Sequence, residues 1–305
     1  MTPPPGRTYR SRPSRVRVAL RRLVAAGLLV AFFGVALWLG VGALGSEGGG
    51  AEEAVTPTIT AAPPPPSLKI VFPEGFTRDQ MIARAGAVRN IAQRKRKITP
   101  RLSGPTYARA SKAAKVPAQF RGDAKGIEGF LFPATYEFTA KTTAKKLVAD
   151  QLAFFGQNWR RLDLRAAKAK NLTPYDVLII ASMIEKETIA PGERAKVAAV
   201  IYNRLKAGMP LGIDATIRYG LDVPGTEALR VSQLESDNPY NTRNRTGLPP
   251  TPIANPGFAS MRAATKPADV DFLFFVRKPD KIHHFFTASE SEFFAKACEY
   301  GFGCG

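Results

Sequence analysis

The spacing of hydrophobic and polar residues changes along the chain. Short apolar runs predict strands, and apolar residues every three to four positions predict helices. Residues 68–72 (LKIVF) predict a strand, and Pro-Glu-Gly at 73–75 predicts a turn. Thr77 is placed to cap the helix that follows. The pattern therefore predicts a small strand–turn–helix unit. A basic, weakly patterned stretch leads from it to residue 125, and residues 142–159 have the apolar spacing of a helix.

The clearest helix signal begins at Thr173. Thr173 suits the N-cap, Pro174 the first helical position and Asp176 the first turn. The apolar residues that follow predict a helix that continues to about Thr188.

The C-terminal part mixes a helix, a polar stretch and strands. Pro191 opens a further predicted helix, and Gly208 suits its end. Residues 210–256 are rich in Pro, Asn, Gly and Thr; we expect them to be too polar for the core and to line a site. Residues 271–276 and 284–287 predict strands, so the predicted fold class is α+β.

The N-terminal segment predicts a membrane anchor. Residues 23–44 are apolar without interruption, and at ~1.5 Å per residue they reach about 33 Å, enough for a hydrocarbon core of about 30 Å. A cleaved signal peptide is the alternative, but its apolar region is usually only ~7–15 residues. Arginines crowd residues 1–22, which predicts a cytoplasmic tail and an external C-terminal domain. Residues 45–66, rich in Gly and Pro, predict a linker.

The formal net charge of +19 suits nucleic acid, anionic lipid or an anionic wall polymer. The predicted topology places the basic domain outside the cell, so we expect a wall polymer as the partner and no nucleic acid. The two cysteines, Cys298 and Cys304, form no zinc or redox motif. Outside the cell they would form one small disulfide or remain thiols.

Several kinds of catalytic site are absent from the sequence. It contains no nucleophile elbow, no phosphate-binding loop and no HExxH zinc motif. His283 and His284 are its only histidines, and as neighbours on a strand they point to opposite faces. We therefore predict no metal and no cofactor, and chemistry that rests on carboxylates.

The best candidates are Glu185 and Glu187, near the end of the predicted helix. Glu185 shares a face with Ala181 and Ser182, where partial desolvation favours the protonated carboxyl group that a general acid requires. Helical periodicity does not separate Glu185 from Glu187. It also leaves open a cap or a salt bridge for either residue.

Five stretches carry a resemblance to a known family. In their order and spacing they resemble the endolytic murein transglycosylase family, also called YceG-like. The stretches are IEGFLFPATYEF at 127–138, ASMIEKET at 181–188, ERAKVAAVIYNRLKAGMPLGIDATIRYG at 193–220, YNTRNRTGLPPTPIANPG at 240–257 and HHFFTAS at 283–289. The resemblance implies a catalytic domain at 126–305 and a diverged LysM-like module at 67–125.

The resemblance also implies an activity and a set of site residues. It makes Glu185 the acid and base of a non-hydrolytic cleavage between N-acetylmuramic acid and N-acetylglucosamine, which leaves 1,6-anhydro ends. The implied partners are peptidoglycan strands and the synthases that make them. Residues implied to line the sugar groove are Asp214, Thr216, Tyr240, Asn241 and Asn255, with Glu128 in support. For all six a structural role remains the alternative, because Asn, Asp and Thr also stabilise turns.

Three positions depart from the family pattern. Gly212 stands where glutamine is usual, Arg243 where an aromatic residue is common, and Ser289 where threonine is usual. We expect Gly212→Gln to be tolerated. Two rival functions remain: a glycoside hydrolase that uses Asp214 as a second carboxylate, and a non-catalytic wall-binding protein.

Overall fold

The computed structural model describes residues 66–302. The predicted tail at 1–22, the transmembrane helix at 23–44 and nearly all of the linker lie outside these residues and stay predictions. Within residues 66–302, no helix combines the length and the apolar character needed to cross a membrane. Cys304 also lies outside the described residues, so its pairing with Cys298 stays open.

Helices and two small antiparallel sheets make up the described fold. This confirms the prediction that the fold mixes helices and strands. In chain order the elements are β1 (Leu68–Val71), α1 (Arg78–Arg96), α2 (Gly104–Ala113), β2 (Thr135–Phe138), α3 (Ala144–Trp159), α4 (Arg165–Lys168), α5 (Pro174–Glu187), α6 (Arg194–Lys206), α7 (Asp214–Gly220), α8 (Val231–Leu234), α9 (Phe258–Thr265), β3 (Phe274–Arg277), β4 (His284–Thr287) and α10 (Glu290–Glu299). Short 3-10 turns occupy Ala118–Phe120 and Pro191–Glu193.

The first sheet crosses the predicted boundary between residues 125 and 126. β1 pairs antiparallel with β2, with Leu68 opposite Phe138 and Val71 opposite Thr135. The inward residues of both strands are buried, as the alternation of a half-buried strand requires. Residues 66–302 all fall within one compact unit. The LysM-like character of residues 67–125 stays a prediction.

The helices α1 and α2 pack through small residues. Thr77 caps α1 in a capping box, as predicted, but α1 continues to Arg96 and α2 follows it. A Cβ on Gly104 would lie 3.1 Å from the Ile82 carbonyl oxygen, so the two backbones approach closely. Because alanine and glycine fill this contact, the sequence shows little apolar periodicity there.

The helix α5 forms the centre of the core. It begins as predicted, with Thr173 as the N-cap and Pro174 at the first position. Every residue from Val177 to Ile184 is buried, as expected for a helix that is packed on all sides. Its neighbours are α6 and α9. It ends at Glu187, so both candidate glutamates lie in its last turn.

The polar stretch 210–256 contributes to the core, contrary to our expectation. Asn241 and Thr242 are 0% and 2% exposed, and Asn255 is 0% exposed. Their side chains form hydrogen bonds with backbone or side-chain groups of the protein, which satisfies polar groups away from water. Several polar residues of this stretch therefore form a buried network of hydrogen bonds.

Candidate functional site

Glu185 lies at the end of α5 with a largely buried side chain. Its side chain is only 6% exposed. One carboxylate oxygen, Oε2, accepts a hydrogen bond from the Gly257 N–H at 3.0 Å, and Oε1 lies 3.9 Å from Nη2 of Arg194. Gly257 immediately precedes α9, so the carboxylate faces the positive end of that helix. A backbone donor and a guanidinium thus fix both oxygens.

A hydrogen bond positions Arg194, and the residue before it is also bonded inside the protein. The Arg194 Nε donates to Ser260 Oγ at 3.1 Å. Before it in the chain, Glu193 accepts hydrogen bonds from the His284 backbone N–H, and its Oε2 lies 2.8 Å from the His284 Nδ1. His284 is buried whereas His283 is exposed, so the two histidines point to opposite faces as predicted. Among the described residues, no cluster of His, Cys, Asp or Glu could hold a metal ion.

Glu74 is the carboxyl group that the sequence analysis missed. It lies in the turn between β1 and α1, and a Cβ on Gly257 would collide with the Glu74 carboxyl group. Gly75, at φ +76°, lies against the Cγ of Glu185, and its N–H donates to the Asn255 carbonyl at 3.0 Å. Burial, followed by the charge of Glu185, raises the pKa of Glu74, and Arg194 lowers it. Glu74 is an exposed residue whose carboxyl group therefore lies beside Glu185.

Glu187 faces a different region from Glu185. It lines a groove of about 1710 Å³, together with Asp214 and Ala215 of α7. Burial, and secondarily the charge of Asp214, raises the pKa of Glu187 to about 7, while Arg277 and the Ala215 N–H act in the opposite direction. The groove exceeds the roughly 300–1,000 Å³ typical of sites for small ligands, so it suits an extended polymer.

The geometry supports a site role for both glutamates of α5. Glu185 is enclosed and held by specific donors, and Glu187 lines the groove with a raised pKa. A pKa near 7 is itself a property of general acids. The preference for Glu185 as the acid therefore rests on the resemblance of the EKET stretch and stays a prediction.

Asp214 and Tyr240 line this groove, and their contact with sugar stays a prediction. Asp214 accepts two hydrogen bonds from the Arg243 guanidinium at 2.8 and 2.6 Å, so one departure from the family pattern provides a partner for a groove residue. Tyr240 packs edge-on against Tyr219 at 5.2 Å between ring centres, and both rings line the groove. Such rings offer apolar faces to a sugar and keep polar tips for hydrogen bonds.

Thr216 and Asn241 are buried behind the wall of the groove. The Thr216 hydroxyl donates to the Ile213 carbonyl at 2.7 Å and lies 2.9 Å from the Thr242 hydroxyl. Asn241 donates to the carbonyls of Leu234 and Ser236, both at 2.8 Å. Their hydrogen bonds inside the protein favour the structural alternative, and sugar binding by them stays a prediction.

Asn255 and Glu128 form a junction between distant segments. Asn255 donates to Glu128 Oε1 at 2.7 Å and to the Phe76 carbonyl at 2.9 Å, and its own oxygen accepts from the Leu131 N–H. Glu128 also accepts from the Arg78 N–H at the start of α1, at 3.1 Å to each oxygen. Burial raises the pKa of Glu128 to about 7. Both residues hold the turn that carries Glu74 next to the segment that carries Gly257.

The geometry of Gly212 contradicts the expectation that glutamine would be tolerated there. Gly212 has φ +66°, in the left-handed region that residues with a Cβ avoid, and a Cβ would lie 3.2 Å from Arg204 Nη1. Its N–H donates to the Thr242 carbonyl at 2.8 Å, which holds it in this conformation. Glycine at position 212 therefore matches the left-handed backbone conformation found there.

Known proteins share both sequence and structure with this chain. An endolytic murein transglycosylase of Bacillus subtilis is 38% identical over 152 residues, which are 50% of this chain and 42% of that protein. One from Streptococcus pneumoniae is 29% identical over 244 residues, 75% of this chain and 42% of that protein. The chain thus spans about two fifths of the length of these curated relatives.

The fold has a counterpart in a solved structure. The crystal structure of a YceG-like protein from Listeria monocytogenes matches with a TM-score of 0.61 and 29% identity, over 73% of this chain and 74% of that one. The sequence profile of the YceG-like family matches residues 49–298, well over half of the chain. From this match, the chain belongs to the YceG-like family.

Proposed function

We propose that this chain is a lytic transglycosylase that cleaves peptidoglycan strands between N-acetylmuramic acid and N-acetylglucosamine. The observation that carries the proposal is Glu185, a buried carboxyl group held by the Gly257 N–H and faced by Arg194. It lies next in sequence to Lys186 and Glu187, which line the large groove. The name shared by the relatives, endolytic murein transglycosylase, supports the same activity and extends the proposal to cuts within strands.

The proposed reaction uses one carboxyl group in two steps. Protonated Glu185 gives its proton to the glycosidic oxygen, and the bond from that oxygen to C1 of the muramyl residue breaks. The resulting Glu185 carboxylate then takes the proton of the C6 hydroxyl of the same residue, whose oxygen closes onto C1. The product is a 1,6-anhydro ring, and Glu185 is protonated again. No water enters the reaction.

The rest of the proposal concerns location and partners. We propose a single-pass anchor at residues 23–44, with the N-terminus in the cytoplasm and the catalytic domain outside the membrane. The arginines before this segment and its length support that topology. Glycan strands are the proposed substrate, and peptidoglycan synthases the proposed protein partners. Residues 67–125 would act as a diverged LysM-like module.

Product analysis tests the activity. The full-length chain, purified in detergent, is incubated with purified peptidoglycan, and the released fragments are identified by mass spectrometry. We expect 1,6-anhydro ends, which are lighter than reducing ends by the mass of one water. Reducing ends would identify a hydrolase instead, for which Asp214 in the groove offers a second carboxylate. Binding without cleavage would identify a wall-binding protein.

A further inference from the structure

Glu74 has no part in the proposed reaction, although it lies beside Glu185. Its carboxyl group rests against the Cα of Gly257, the residue whose N–H binds Glu185. The turn is fixed from three sides: Gly75 donates to the Asn255 carbonyl, Lys186 donates to the Gly75 carbonyl, and Gly75 packs on the Glu185 Cγ. This placement requires a segment near the start of the fold to meet two segments far along the chain.

We propose that Glu74 is a positioning residue for Glu185: its carboxyl group packs against the Gly257 backbone, which binds Glu185, and sets the electrostatic environment of that carboxyl group. The proposal rests on the proposed function, because it assigns a second residue to the same site. It also makes the turn at 73–75 part of the catalytic site.

The charges around Glu74 explain how it would act. It is faced by Glu185 at the end of α5 and by Arg194 at the start of α6, and Lys186 bonds to the neighbouring Gly75 carbonyl. Burial, followed by the charge of Glu185, raises the pKa of Glu74, and Arg194 lowers it. Glu74 therefore lies within electrostatic reach of the carboxyl group that the Gly257 N–H binds.

Gly257 supplies independent support for a specific contact. Its backbone is extended, at φ −75° and ψ 170°, a conformation that any type of residue can adopt. What excludes a Cβ at this position is the Glu74 carboxyl group. Glycine leaves room for the approach of Glu74, and Gly257→Ala should push that flexible side chain away while leaving the N–H that binds Glu185.

The test compares three variants of the full-length chain: Glu74→Gln, which keeps the shape and removes the charge; Gly257→Ala, which displaces the carboxyl group; and Glu137→Gln as the matched control. Glu137 lies on β2, and its exposed side chain pairs with Lys69 of β1. The rate of release of anhydro-muropeptides is measured from pH 4 to 9. Thermal unfolding of each variant separates loss of the fold from loss of activity.

We expect Glu74→Gln and Gly257→Ala to lower the maximal rate at least tenfold, since small misplacements of catalytic groups have effects of that size. The pH profile of Glu74→Gln should also differ from that of the wild type, because a carboxyl group that ionises beside Glu185 is removed. Glu137→Gln should match the wild type. An unchanged rate and profile in folded Glu74→Gln, or a reduced rate with an unmoved profile, would overturn the proposal.

A second readout does not need activity. The carboxyl carbons of 13C-labelled glutamate are titrated by NMR, and the Glu74 signal is identified by its loss in Glu74→Gln. We expect the Glu74 titration to move to lower pH in Glu185→Gln, because the charge that raises the pKa of Glu74 is removed, and to stay in place in Glu137→Gln. If the wild type releases no anhydro product, the proposed function fails, and this titration still decides whether Glu74 and Glu185 interact. An unmoved Glu74 titration in Glu185→Gln would reject the interaction.

Discussion

The two glutamates in the last turn of α5 have different surroundings. Glu185 is enclosed by the turn at 73–75 and the start of α9, and its oxygens meet a backbone N–H and a guanidinium. Glu187 lies on the groove beside Asp214, a like charge. Positions two apart on a helix point in nearly opposite directions, so the two carboxyl groups meet different neighbours.

This comparison assigns different tasks to the two sides of one helix end. The side of Glu185 has the fixed donors that orient a reacting group. The side of Glu187 has the aromatic rings and charged residues of the groove. The predictions below test whether chemistry and binding divide in this way.

Removing the carboxyl function of Glu185 should have the largest effect. Glu185→Gln keeps the size of the side chain but transfers no proton, so we expect a loss of ~10²–10⁴-fold in anhydro-muropeptide release. Glu187→Gln, the matched control two residues away, should lose less than about tenfold, because a groove residue contributes mainly binding. If folded Glu185→Gln remains active and Glu187→Gln does not, the assignment of Glu185 as the acid is wrong.

The raised pKa of Glu187 should make the stability of the fold depend on pH. The pKa is 4.5 in the ordinary state and about 7 in the fold, so between these values the folded protein retains a proton that the unfolded chain has lost. Stability from this group is therefore complete below pH 4.5 and is lost as pH rises to about 7. Glu187→Gln should gain stability relative to the wild type over that range. Urea unfolding of both proteins at pH 4.5 and pH 8 measures the gain. If Glu187→Gln and the wild type differ in free energy of unfolding by the same amount at both pH values, the prediction is contradicted.

The left-handed backbone at Gly212 predicts an effect of intermediate size. Gly212→Gln should lower the free energy of unfolding by about 1–2 kcal/mol, the usual penalty for a side chain in this conformation. Gly208→Gln provides a matched control for the backbone term, because Gly208 has the same φ of +66° but no atom within 4 Å of an added Cβ. Equal losses in the two variants would assign the effect to the backbone alone, and no loss at Gly212 would contradict the prediction.

The smallest expected effect concerns the pair of Asp214 and Arg243. Both side chains are nearly half exposed, and exposed ion pairs contribute about 0–1 kcal/mol. Asp214→Asn should therefore lower the free energy of unfolding by about 1 kcal/mol or less and leave kcat nearly unchanged. Asp237→Asn, which breaks an exposed pair with Arg245, is the control. A large fall in kcat would indicate that Asp214 takes part in the chemistry, as in a hydrolase.

Local signals in the sequence predicted the elements that depend on local physics. Thr173, Pro174 and Asp176 define the start of α5 because capping uses neighbouring residues only. The strand at 284–287 was also predicted correctly, since its aromatic residues favour strands. The pair α1 and α2 was only partly predicted, because helices that pack through alanine and glycine lack large apolar residues at a helical period.

Contacts between distant segments could not be predicted in the same way. Glu74 looked like part of a turn, and its proximity to Glu185 and Gly257 exists only once three segments meet. The burial of Asn255 follows from acceptors and donors on Phe76, Glu128 and Leu131, none of them near it in sequence. The family resemblance identified Asn255 and Glu128 as important without indicating this structural reason.

The pairing of β1 with β2 has a consequence for the order of folding. During synthesis β1 is complete before its partner exists, because α1 and α2 are made between the two strands. Until β2 follows, β1 presents an unpaired edge with an apolar face, the kind of segment that associates with other chains. Closing a long loop is also slow relative to forming a helix. We therefore expect the turn that carries Glu74 to be ordered late, so that the site is completed only after most of the helices have formed.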